Sequence, residues 1–138
     1  MDWPALVQRI IHPHTHTPEA AWQAAGNSWI AGTILALNRL LFGTVWLSSP
    51  APVGPGLAHL GVGFFYILMA LLAYRRSRIA SGVILVLAVL EALIEVLFNV
   101  LVRGEIGLSF VIAAVALVLA VGGFRGANAI FAHYRNTR

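Results

Sequence analysis

A few ionisable and amide side chains interrupt otherwise apolar runs in this chain, and their types set the chemistry open to them. Arg39 follows Asn38 inside WIAGTILALNRLLFGTVWL. His59 and Tyr66 lie in LAHLGVGFFYILMALLAY. Glu91, Glu95 and Asn99 lie in IASGVILVLAVLEALIEVLFNVLV. On a regular helix the spacing 91, 95, 99 and 103 puts these residues and Arg103 on one slowly drifting face. A lone Arg or Glu at the centre of a bilayer costs roughly 3 kcal/mol on an insertion scale. Three such charges are tolerable if they meet. Arg39 is therefore expected to pair with Glu91 or Glu95, because its planar fork accepts a carboxylate through two parallel hydrogen bonds.

One Arg cannot neutralise two carboxylates. The expected relief is a proton held by one Glu, a bound cation, or water. His59, one turn inside the end of its run, is expected to join Glu95 and Asn99 in a polar chain leading to Glu91 and Arg39. Tyr66 falls two turns deeper. This set, with Asn38, is a candidate site for a small solute, an ion or a proton. The same residues could also act only as a staple that sets helix register.

A second constellation is His12-Pro13-His14-Thr15-His16. Alternate residues of an extended segment point to one side. Imidazole suits Zn, Cu, Ni or Fe. His12, His14 and His16 are thus a candidate divalent-metal site, although the spacing supplies no fourth ligand.

These residues need elements to hold them, and four apolar runs supply those: 29–47, 57–74, 79–102 and 106–124. Each has about the ~20 residues that cross a ~30 Å hydrocarbon core as a helix. None alternates as a barrel strand would. The predicted fold is an all-α, integral-membrane four-helix transmembrane bundle. Its links are short: the Pro- and Gly-rich SSPAPVGPG, the turn RRSR, and Arg103-Gly104-Glu105. Short links imply antiparallel neighbours. With a rise of about 1.5 Å per residue, Arg39 lies about 15 Å, and Glu91 about 18 Å, from the same end of the bundle.

Composition agrees with lipid as the solvent. Of the 138 residues 59% are apolar and 10% charged, whereas a soluble domain carries about 25% charged residues. All nine basic residues are Arg, and there is no Cys. Thiolate metal sites, disulfides and Cys nucleophiles are therefore excluded. The Arg residues sit at the ends of apolar runs, so the net charge of +4 reads as topology and lipid headgroups. No nucleic-acid partner is expected. Arg75, Arg76 and Arg78, with the basic tail, place that end of the bundle and both termini on the cytoplasmic side. The expected setting is an inner (plasma) membrane of bacterial type.

Residues 1–27 read as an interfacial segment. Trp3, Leu6, Val7, Ile10 and Ile11 recur at helical spacing with Gln8 and Arg9 opposite, the pattern of a helix lying on a membrane surface. Its apolar stretch is too short for a cleaved leader. Nothing in the His-rich linker is expected to pack. Thr17-Pro18-Glu19 has the form of a helix start. Residues 28–124 form the four-span domain, and 125–138 prolong the last helix. Ser109, Ala113, Ala116, Ala120, Gly123 and Ala127 give the last span a face of small residues suited to close packing.

Three functions fit. The first is a small membrane protein that binds or passes a solute, ion or proton, more easily as a homodimer. The second is a non-catalytic accessory subunit of a larger membrane complex, which predicts an exposed small-residue face on the last span. The third is an enzyme on a lipid-soluble substrate, which predicts an apolar cavity beside a carboxyl group.

Overall fold

The computed structural model describes residues 3–102, 104 and 107–136. Among them are five α-helices, one π-helical segment and no strand. Four of the helices are long and apolar enough to cross a membrane.

Helix α1 (Trp3–Ile11) buries no residue. Helix α2 (Pro18–Leu47) starts where the sequence predicts. The Thr17 hydroxyl accepts a hydrogen bond from the Ala20 amide at 3.2 Å, and Pro18 takes the first helical position. That position loses nothing by lacking an N–H. Thirty residues correspond to about 45 Å of helix. Helix α2 is therefore longer than a ~30 Å core.

Helix α3 (Val53–Tyr74) begins before Leu57, where its apolar run starts. Pro55 sits in the first turn, where the missing amide would have had no intrahelical partner. Helix α4 (Arg78–Glu95) is capped by Ser77, whose hydroxyl accepts from the Ala80 amide at 3.3 Å. From Val96 to Val102 the chain is π-helical. The sequence reading has a regular α-helix here, and the change of winding is the difference. Helix α5 (Leu108–Asn136) runs unbroken through residues 122–126 into the basic tail.

Helix α2 packs most extensively on α3 and α5, α4 lies on α5, and α2 touches α4 more sparsely. The core is made of small side chains: Ala31, Ala36, Ala73, Ala80, Ala88, Ala116 and Ala120 surround Leu35, Ile84 and Tyr66. Large apolar residues face outward, with Leu37 62% and Ile79 82% exposed. Lipid is as apolar as Leu, so large residues gain little by burial there, and small ones let backbones approach. The approach is closest between α2 and α5. A Cβ placed on Gly123 would collide with the Ser28 backbone, and one on Gly126 with the backbone of Ala24 and Ala25.

Candidate functional site

The buried face of α4 recurs at Ala80, Ile84, Ala88 and Glu91. A carboxylate thus occupies what is otherwise a core position, 6% exposed. Arg39 on α2 follows Gly32, Leu35 and Ala36 on that helix's buried side. It reaches Glu91 as a fork: Nε donates to Oε1 at 2.7 Å, and Nη2 donates to Oε2. Tyr66 of α3, 2% exposed, donates its hydroxyl to Oε1 at 2.7 Å. Three donors from two helices therefore converge on one carboxylate.

The third guanidinium nitrogen, Nη1, lies 3.0 Å from His59 Nδ1. Arg has no acceptor, so Nδ1 must accept and the ring proton sits on Nε2. His59 is neutral in this arrangement. Its ring lies beside Phe42 and Trp46, with centroids 6.4 and 6.5 Å away. Trp46 is held in turn by its indole N–H, which donates to the Pro52 carbonyl at 2.9 Å. Close packing of α2 on α3 sets these distances: Gly43 faces Leu60 and Gly56, and Gly63 faces Leu40.

The structure brings together Arg39, Glu91, His59 and Tyr66 from three helices. The hydrogen-bonded fork of Arg39 goes to Glu91. Glu95 accepts a hydrogen bond from Ser109 of α5 at 2.8 Å. His59 meets Arg39 directly and does not reach it through Glu95. Asn38 is half-buried and makes none of the cluster's hydrogen bonds. The side chain of Asn99 lies outside the described residues, as do Arg103 and Glu105. Sequence reasoning missed Ser109 as the partner of Glu95, and Phe42 and Trp46 as the walls of His59. The spacing 39, 42 and 46 is a helical-face pattern that could have revealed the walls. A lone Ser on another helix carries no comparable signal.

His12, His14 and His16 are exposed. His14 and His16 lie 6.4 Å apart by ring centroid, and Arg125 Nη1 donates to His12 Nδ1. Among the described residues no three His or acidic side chains gather as a metal group. The linker does pack, contrary to expectation. Arg125 donates to the Ile11 carbonyl at 2.9 Å, and His133 Nε2 donates to the Thr15 carbonyl at 3.0 Å.

No protein-family model, curated protein or solved structure matches this chain.

Proposed function

We propose that this multi-pass membrane protein binds or passes a small solute, an ion or a proton at the Arg39–Glu91 cluster. The observation that carries the reading is the unbroken chain Tyr66–Glu91–Arg39–His59. It links a buried carboxylate to a half-exposed imidazole. Ionisable groups inside a membrane bundle are costly, and they are functional suspects for that reason. Glu91 is the binding group in this reading. Arg39 and Tyr66 hold its carboxyl group in place, and His59 borders the third guanidinium nitrogen. Glu95 supplies a second carboxylate in this reading, and Asn99 and Asn38 supply amides.

In this reading neighbouring spans are antiparallel and both termini are cytoplasmic. Residues 1–27 lie at the interface, 28–124 cross an inner (plasma) membrane, and 125–138 extend into the headgroups. Reporter fusions at Arg138 and within 48–56 should then report opposite sides. A homodimer would give the path more interior than one bundle has. A divalent metal on His12, His14 and His16 is a separate proposal. Changing all three to Ala should remove metal that co-purifies with the wild-type chain.

The test is flux in vesicles. Wild-type protein in liposomes should dissipate an imposed proton or small-ion gradient. Glu91→Gln should abolish that flux while the helical circular dichroism stays unchanged. Equal flux from both proteins would refute the reading.

The two other functions draw less support. The small-residue face of α5 is buried, with Ala113, Ala116, Ala120 and Ala127 at most 3% exposed, so it is not free to dock an accessory partner. An apolar groove of about 410 Å³ does open between α2 and α3, but no carboxyl group lines it, as an enzyme on a lipid substrate would need.

A further inference from the structure

The same groove ends beside an Arg that pairs with no carboxylate among the described residues. It runs between Trp29–Leu37 of α2 and Ile67–Tyr74 of α3. Thr33 is its polar exception along α2, and the Thr33 hydroxyl is already spent on the Trp29 carbonyl at 2.8 Å. At one end Trp29 and Tyr74 meet edge to face, with centroids 5.8 Å apart. Immediately after Tyr74 the chain turns through Arg75 and Arg76.

Arg76 holds a left-handed backbone, φ 64°, which costs a non-Gly residue roughly 1 kcal/mol. Its guanidinium lies 5.1 Å from the centroid of the Trp22 ring. A Cβ on Gly26 would stand 3.3 Å from Arg76 Nη1 and 3.8 Å from Trp29 Nε1. Gly26 thus leaves room for the guanidinium near the Trp29 indole at the groove's end. Nε and Nη1 of Arg76 are buried and have no acceptor, and among the described residues no carboxylate pairs with this Arg. A buried charged donor left without an acceptor is costly. An anion against Nη2, the guanidinium nitrogen that is not buried, would offset the charge.

We infer that this end of the α2–α3 groove binds one anionic phospholipid, with an acyl chain along the groove and the phosphate against Arg76. Charge complementarity selects this occupant: an apolar trough that leads to an unsatisfied guanidinium matches a lipid that joins an acyl chain to a phosphate. Arg78 serves as an internal control. It belongs to the same basic turn, but its guanidinium stacks on Phe131, 5.0 Å from the ring centroid, away from the groove. The inference is independent of the role of Glu91.

The full chain, purified in mild detergent, is titrated with phosphatidylglycerol or phosphatidylcholine, and bound lipid is counted by native mass spectrometry. Wild-type protein should hold one phosphatidylglycerol at least tenfold more tightly than phosphatidylcholine. Arg76→Gln should lose that preference, and Arg78→Gln should keep it. Leu37→Trp fills the groove from an exposed position and leaves every Arg in place. It should weaken phosphatidylglycerol binding severalfold, and it carries the test if Arg76→Gln does not fold. Inorganic phosphate at millimolar concentration should not displace the lipid. Equal binding of the two lipids would overturn the site. So would an equal loss in Arg76→Gln and Arg78→Gln, which means diffuse charge. Displacement by inorganic phosphate would mean an anion site that makes no use of the groove, and would overturn it too.

Discussion

Helix α2 meets two neighbours in opposite ways. Against α5 it presents Ala24, Ala25 and Ser28, and α5 answers with Gly123 and Gly126. Against α4 it presents Arg39, and α4 answers with Glu91. The first contact brings backbones together and gains from dispersion. The second bridges a wider gap with long side chains. The two also differ in what they specify. Small residues recur on α5 at 113, 116, 120, 123 and 127, and within that seam Gly123 and Gly126 mark where the α2 backbone touches. A two-pronged ion pair fits one register only, because a slip of one turn strands both charges. Close packing gives the bundle its cohesion, and the ion pair adds a second constraint on its alignment.

The largest effect should come from breaking the ion pair on one side. Arg39→Leu strands a buried carboxylate and should cost about 3–5 kcal/mol. Arg39→Leu with Glu91→Leu should cost clearly less, as denaturant titration in detergent would read. If the costs add, the pair does not couple α2 to α4. The seam should respond next. Gly123→Ala pushes a methyl group into the Ser28 backbone and should cost about 1–3 kcal/mol. Gly61→Ala meets nothing within 4 Å and should instead gain up to about 1 kcal/mol from helix propensity. Thermal midpoints that move the same way in both variants would remove the close-approach account. Tyr66→Phe should act less than the loss of Arg39, because it takes only one of the three donors from Glu91. It should cost about 1.5 kcal/mol and lower the midpoint without changing helical content.

Much of this was legible in the sequence where the cause is local. Thr17-Pro18 announces a helix start because the cap is satisfied within four residues. The four runs announce themselves by length and composition. That Arg39 and Glu91 share a level follows from helical rise. Which of Glu91 and Glu95 faces Arg39 depends on how α4 is rotated. The recurrence Ala80, Ile84, Ala88, Glu91 sets that rotation, but only once the packing partner of α4 is known. The π-helical segment was not legible, because VLFNVLV contains no Pro or Gly to mark a change of winding. The contacts of Arg125 and His133 with the N-terminal linker were not legible either. They join residues more than a hundred positions apart, and a single sequence carries no trace of such pairing.

Those last contacts bear on the order of assembly. Synthesis delivers Ile11 and Thr15 first, and the Arg125 and His133 side chains that hold their carbonyls arrive with the final helix. Gly122, against which the Ile10 carbonyl rests, comes equally late. Until α5 is in place, α1 has no seat on the bundle, whatever the earlier spans have done. A chain stopped before residue 122 keeps three complete spans and leaves its first helix adrift. A docked N-terminus is therefore the molecule's own record that its last helix has been inserted.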